Sequence, residues 1–334
     1  LIKKRKMADL NAELAGIIKK NNDFLIITHT FPDGDALGSL TAFHGLVSSL
    51  GKYSRMVCNS DLPYQYRFLP GFEYIKRGHQ TADIFDRKYI CIILDCADSH
   101  RTGIDMDRLK AKGSYVVNID HHRSNNNFGD LNIVDSDKSA TSEMLFEFMQ
   151  QNFAGSLDYD IAIGIYVGIL TDTGRFQYSN TTANVHRITG KLLEYGIQPS
   201  DVYGYIYESD PLGRFRLIRV VLDRVKYIEE LSLVYSYVLE KDLTRLNIPF
   251  YSQDGIIELL RSAEAARVTV LVKQIGKASY KVSLRTSDSK IDLSRIAAGF
   301  GGGGHRTASA YQDEGSLRDV IARLKDAVRK EIEG

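Results

Sequence analysis

The residues whose types could do chemistry fall in four short segments. They are His29-Thr30-Phe31-Pro32-Asp33-Gly34-Asp35, the isolated Asp95, Asp120-His121-His122, and Thr171-Asp172-Thr173-Gly174. Imidazole and carboxylate together, with no thiolate beside them, suit Mn, Mg, Fe or Co in an oxygen-rich octahedral site better than a structural zinc. Asp33, Asp35, Asp95 and Asp172 bring four negative charges, which match two divalent cations. Metals paired about 3.5–4 Å apart suit in-line phosphoryl displacement. Taken singly, each segment has a plainer reading. Asp33-Gly34-Asp35 reads as a turn, Asp120 as a helix cap, and His29 as a structural histidine. Only their joint placement argues for a dinuclear metallophosphoesterase.

That placement follows from the elements that must carry them. The apolar runs Phe24 to Thr28, Ile90 to Leu94 and Tyr115 to Ile119 suit strands buried on both faces, and each runs directly into one of the segments. Helical patterns lie at Ala36 to Leu50, Ser139 to Asn152 and Asp160 to Leu170, with an opening helix through Leu10, Leu14, Ile17 and Ile18. Alternating strands and helices predict an α/β domain whose mainly parallel sheet has helices on both faces. In such sheets ligands gather beyond the carboxyl ends of the strands. Asp172 follows the very apolar third helix and could join the same crevice.

Further along, Thr182 to Tyr195 and Pro211 to Val225 read as helices, and strand signals return at Leu233 to Leu239, Arg267 to Ile275 and Tyr280 to Arg285. A glycine run, Gly301 to Gly304, precedes His305, and a closing helix spans Leu317 to Ile332. The expected organisation is a metal-binding domain over 7–194, a helical connector over 195–228 and a smaller α/β domain over 229–334. Glycines let a backbone approach a phosphate closely with its N–H groups aimed at the anion. Tyr203, Tyr205 and Tyr207 read as packing residues.

Composition bounds these readings. The chain has 334 residues, 43% apolar and 25% charged, which excludes disorder. The longest apolar stretch, Ile161 to Leu170, is about half a bilayer span. Leu14 to Ile18 is too short for a signal-peptide core, so a cytoplasmic location is expected. Lys3, Lys4, Arg5 and Lys6 read as a frayed basic arm or as a mis-called start. Cys91 and Cys96 are expected on opposite faces of one strand, as reduced core residues. The net charge of +1 hides a division: residues 1–210 carry 22 basic and 26 acidic side chains, and residues 211–334 carry 21 and 16. An acidic, metal-loading half and a basic, phosphate-gripping half are expected to take short nucleic acid, not a long duplex.

The four segments, in this order, resemble the four motifs of the DHH phosphoesterase superfamily, and the glycine run with His305 resembles its DHHA1 domain. The resemblance spans about Phe24 to Ala310, and the length and lack of further domains look most like the nanoRNase and pAp-phosphatase branch. It implies that His29, Asp33 and Asp95 hold one metal ion, and that Asp35, Asp95, His121 and Asp172 hold a second. The ions implied are Mn²⁺, with Mg²⁺ or Co²⁺ as alternatives. His122 would face the substrate phosphate, and Asp120 would orient the histidine pair. Arg101 would contact substrate, while Arg285, Gly302, Gly303, Gly304 and His305 would grip the nucleotide, with Arg261 a weaker candidate. Arg123 and Arg175 read equally well as salt-bridge residues. The family has glycine where this chain has Ala310. The implied activity is hydrolysis of short single-stranded RNA to mononucleotides and of 3′-phosphoadenosine 5′-phosphate (pAp) to AMP, with no membrane partner. The oligomeric state is left open, a homodimer among the options. Cyclic-dinucleotide or pApA hydrolysis and a non-catalytic nucleotide-binding module are the competing readings.

Overall fold

The computed structural model describes residues 6–248 and 255–333; Lys3, Lys4 and Arg5 of the expected basic arm lie outside them. The chain divides into two units, Leu1–Ser209 and Asp210–Gly334.

The first unit is built on five parallel strands: β1 (Asp23–Ile27), β2 (Tyr53–Val57), β3 (Ile90–Leu94), β4 (Tyr115–Asp120) and β5 (Leu131–Val134), in the order β2-β1-β3-β4-β5. The helices are α1 (Met7–Lys20), α2 (Gly34–Ser49), α3 (Met106–Ala111), α4 (Thr141–Asn152), α5 (Tyr159–Asp172), α6 (Ala183–Leu193) and α7 (Pro199–Tyr207). Side chains alternate across a strand, so Phe24, Ile26, Ile92, Leu94, Val117 and Ile119 pack against α1, α2, α4 and α5. Leu25, Ile27, Cys91, Ile93 and Val116 face the other way, onto Met106 and Leu109 of α3 and onto Ile84. Both faces are covered, as the apolar runs predict. The edge strands β2 and β5 were not foreseen, because a half-exposed edge needs no continuous apolar run.

The cysteine expectation is corrected. Cys91 and Cys96 belong to one buried cluster. The offset rule fails because β3 ends at Leu94, and the chain turns at Asp95, whose φ is 56°.

Two helices set the geometry of everything below. Antiparallel α2 and α5 cross with almost no side chain between them. A Cβ on Gly38 would stand 2.2 Å from the Gly164 carbonyl oxygen, and one on Gly164 would stand 2.7 Å from that of Gly38. Such contact is open only to glycine. Because the helices run in opposite directions, the start of α2 meets the end of α5.

The second unit contains α8 (Leu212–Asp223), β6 (Lys226–Ile228), β7 (Leu233–Val238), α9 (Glu240–Leu246), α10 (Ile256–Arg261), β8 (Val268–Gly276), β9 (Ser279–Thr286), α11 (Leu293–Ala298), β10 (Gly303–His305), β11 (Ala308–Glu314) and α12 (Leu317–Glu333). Its sheet has the order β10-β11-β9-β8-β7-β6, with only β7 and β8 parallel. Of the stretch 195–228, α7 buries Val202 and Ile206 in the first unit's core, while α8 buries Leu217 and Val221 in a core of the second. No helix among the described residues is long and apolar enough to cross a membrane.

Candidate metal centre

Strands β1, β3 and β4 run side by side in register, so their carboxyl ends open on one crevice. Past β1 comes His29; past β3, Asp95; at and past β4, Asp120, His121 and His122. Asp33 caps α2, its carboxylate accepting from the Ala36 N–H at 3.0 Å, and Asp35 lies in the first turn. Asp172 is the last residue of α5, which the glycine crossing brings to the same place.

One ligand atom each from His29, Asp33 and Asp95 lies within 4.8 Å of the others. The same holds for Asp35, Asp95 and His121, and for Asp95, Asp120 and His122. Asp172 reaches His121, Oδ2 to Nε2, at 3.1 Å. All six expected ligands therefore converge, with Asp95 common to the three groups. The left-handed backbone at Asp95, which aspartate tolerates better than most residues, is braced by its N–H donating to the Ile119 carbonyl at 3.0 Å.

The imidazoles are oriented from behind. His29 Nδ1 lies 2.8 Å from the Thr30 carbonyl oxygen and His121 Nδ1 lies 3.3 Å from that of Lys138. A carbonyl only accepts, so Nδ1 carries a proton in both rings and Nε2 is the atom aimed at the carboxylates. His122 Nδ1 is 2.7 Å from Asp120 Oδ1, and Asn125 donates to Asp120 Oδ2 at 2.6 Å. Asp120 is thus occupied in holding His122.

Asp35 has the most complete cradle. Its Oδ2 accepts from the Thr141 N–H at 2.6 Å, and its Oδ1 from the Ser142 N–H at 3.0 Å and the Ser142 hydroxyl at 2.5 Å. Thr141 Oγ1 also donates to Asp95 Oδ1 at 3.3 Å. The first turn of α4 therefore presents its unpaired amides to the Asp35 carboxylate, a favourable pairing with the helix dipole. Gly168 leaves the room: a Cβ there would stand 1.9 Å from Ser142 Oγ and 2.5 Å from Asp35 Oδ1. Nothing in the sequence marks Ser142 or these glycines as part of the site. Ser139-Ala140-Thr141-Ser142-Glu143 does carry a helix-start signal, but nothing in it says which carboxylate the start faces. Ser142→Ala should weaken Mn²⁺ binding about tenfold by calorimetry, with the protein still folded because Ser39 and both amides stay in place.

The electrostatics ask for cations. Burial first, then the charges of Asp35, Asp33, Asp172 and Asp120, hold the Asp95 carboxyl well above its ordinary range. Burial and Asp172 push Asp35 up to about 6. Asp172 is also raised by burial, against its hydrogen bond with His121. Burial opposes a charge on His121, yet the bond to Asp172 and the surrounding carboxylates raise it to about 10. His29, depressed to about 4 by burial and by Arg101, stays neutral and ligand-ready. Carboxylates crowded this closely in a buried crevice, with imidazole nitrogens aimed among them and no thiolate, fit divalent cations of the oxygen-preferring kind.

At the rim, a 3₁₀ turn over Ser99–Thr102 carries the exposed Arg101, and the Thr30 N–H donates to the Arg101 carbonyl at 2.7 Å. The loop after β3 thus reaches back to the His29 segment. Arg123 is exposed. The contact Arg175 makes is aromatic, its guanidinium lying 5.1 Å from the Tyr207 ring centre.

In the second unit, Arg285 on β9 and His305 on β10 both flank Ala308 of β11. Arg285 Nε donates to Glu258 of α10 at 3.0 Å, and Arg261 ends that helix. The glycine run has a structural demand of its own. The Gly302 N–H donates to the Ala297 carbonyl at 2.8 Å, and a Cβ on Gly302 would stand 2.4 Å from the Ala310 carbonyl oxygen. Gly304 has a φ of 135° and equally close neighbours in β11. Ala310 itself pairs with Gly303.

Comparison with known proteins agrees with this division. Residues 23–169 match the family model of the DHH family, N-terminal domain, and residues 231–333 match the DHHA1 domain. A Thermus thermophilus protein, bifunctional oligoribonuclease and PAP phosphatase NrnA, is 31% identical over 309 residues, covering 92% of this chain and 89% of its own. The Bacillus subtilis protein of that name is 24% identical over 302 residues, covering 90% and 92%. An exopolyphosphatase-related protein from Bacteroides fragilis shares the fold, with a TM-score of 0.87 at 23% identity over 99% of this chain and 98% of its own. With both domains matched and the motif residues gathered in one crevice, the chain belongs to the metal-dependent DHH phosphoesterase family, in its DHH–DHHA1 branch.

Proposed function

We propose that the chain hydrolyses very short RNAs to mononucleotides and pAp to AMP and phosphate. The observation that carries this reading is the buried crevice in which Asp95 is shared between a His29–Asp33 group and an Asp35–His121 group. His29, Asp33 and Asp95 would hold one divalent ion, and Asp35, Asp95, His121 and Asp172 a second, with Mn²⁺ the ion we favour. Such ions, when bound, act as Lewis acids on a phosphoryl oxygen and neutralise charge that develops on it.

The chain's own residues do the rest. Asp120 accepts from His122 Nδ1 and fixes the ring, so that Nε2 is the atom offered to a phosphate. Arg101, on its loop at the rim, adds a charge-assisted grip on phosphate oxygens. In the second unit, Arg285, His305 and the backbone of Gly302, Gly303 and Gly304 are the proposed nucleotide-binding groups, with Arg261 in support. The relatives' names support this choice of substrates. The excess of basic residues after residue 210 supports an anionic ligand there. Three buried free cysteines suit a reducing compartment, and the cytoplasm is the proposed location.

The test is turnover of a 5′-labelled dinucleotide, a 24-mer, pAp and pApA, with Mn²⁺ and with EDTA. Mn²⁺-dependent release of mononucleotide from the dinucleotide and of phosphate from pAp is expected, with the 24-mer far slower. Absence of metal-dependent turnover of every substrate would sink the reading. A strong preference for pApA would move it to the cyclic-dinucleotide branch.

A further inference from the structure

We propose that Phe31 is a stacking platform for a nucleobase of the substrate, so that the metal-binding loop itself distinguishes nucleotides from other phosphate esters. This rests on the reading above and names the part of the substrate that the loop recognises.

The observation is a backbone outlier. Phe31 has a φ of 55°, a region bulky side chains avoid. It also precedes Pro32, and residues before proline are pushed towards extended conformations. Such strain persists only where the surroundings over-determine it, and it concentrates at ligand sites. Here the surroundings do so from two sides. The Phe31 N–H donates to Ser60 Oγ at 2.8 Å, and the neighbouring Thr30 N–H donates to the Arg101 carbonyl at 2.7 Å. Thr30 is further confined by Gly103, where a Cβ would stand 3.0 Å from Thr30 Cγ2.

The outcome of this bracing is a phenylalanine 54% exposed at the mouth of a polar crevice. Phenylalanine is ordinarily among the most buried residues, and here more than half of the residue's surface is open to solvent. Phe31 lies two residues from His29 and two from Asp33, so its Cα is within about 7 Å of both theirs. An exposed aromatic ring and an arginine therefore share one rim. A phosphate oxygen suits the arginine. The flat group that an RNA or pAp carries beside its phosphate is the base, and stacking accepts any base.

The test compares pAp with ribose 3′,5′-bisphosphate, which carries the same phosphates and no base. Phe31→Ala should raise KM for pAp and for the dinucleotide about tenfold to a hundredfold. It should shrink the preference for pAp over ribose bisphosphate by the same factor. Phe31→Trp should restore both and, since the chain has no other tryptophan, report binding directly. Its fluorescence should be quenched by pAp and not by ribose bisphosphate in the same metal. Phe31→Gly should lose affinity while gaining a few degrees in Tm, because glycine relieves the strain. That opposition of sign separates a binding role from a folding one. An unchanged KM in Phe31→Ala, or a wild-type enzyme indifferent to the base, would overturn the inference and leave the proposed function standing. Failure of the wild type to hydrolyse pAp and dinucleotide alike would instead remove the proposed function.

Discussion

Asp95→Asn is expected to lower kcat/KM by a factor on the order of 10³ or more, a loss typical of removing a preorganised charge from such a site. It should also abolish the rise in Tm that Mn²⁺ gives the wild type. The substitution is chosen for its geometry. Asparagine matches aspartate in shape and tolerates the left-handed backbone that residue 95 adopts, so the turn out of β3 survives. What disappears is the negative charge common to the three ligand groups. Without metal, that charge is a liability, since burial and four neighbouring aspartates act against it. Metal-free Asp95→Asn should therefore melt above metal-free wild type. With Mn²⁺ the order reverses, because ligand binding stabilises only the protein that can bind. Calorimetric melts in EDTA and in Mn²⁺ read both signs. An Mn²⁺ shift in the variant equal to that of the wild type would refute the shared-ligand assignment.

Gly38→Ala should destabilise the first unit by about 3 kcal/mol, at the upper end of overpacking, and weaken metal binding together with stability. One methyl does this because it would stand 2.2 Å from a backbone oxygen of α5, which cannot rotate away. The helices must part instead. Asp35 rides on the first turn of α2 and Asp172 on the last turn of α5, so parting them pulls two of the proposed ligand carboxylates away from each other. Gly16→Ala is the matched control. In α1 a Cβ at that position meets nothing within 4 Å, so the same change should stabilise by up to about 1 kcal/mol. Urea melts and Mn²⁺ calorimetry on the pair measure both effects. Equal affinity in Gly38→Ala and wild type would show that the crossing does not set the ligand spacing.

The site was legible where chemistry sits at the end of a buried strand. His29, Asp95 and the Asp120-His121-His122 run announce themselves because an apolar run stops and charged groups begin. The parallel sheet follows from the same runs. What stayed hidden acts across the chain. Ser142 looks like any helix-start serine until α4 is laid against Asp35. Gly34, Gly38, Gly164 and Gly168 look like poor helix formers, and only the crossing shows what they allow. The strands at Tyr53–Val57, Leu131–Val134 and Ala308–Glu314 were missed because edge or partly exposed strands alternate or carry polar residues. In the glycine run, the sequence suggested room for a phosphate, whereas the fold shows that Gly302 and Gly304 are also required by β11.

The three cysteines have a use that their chemistry alone would not suggest. All are buried in the Leu1–Ser209 unit, and burial pushes Cys58 up to about 11 and Cys91 and Cys96 up to about 12. Alkylating reagents attack thiolates, so the folded unit offers them nothing at neutral pH. Cys91 lies within β3 and Cys96 directly follows Asp95, while Cys58 follows β2. Their modification by iodoacetamide therefore times the opening of the sheet that carries the proposed ligands, and it is silent about the second unit, which has no cysteine.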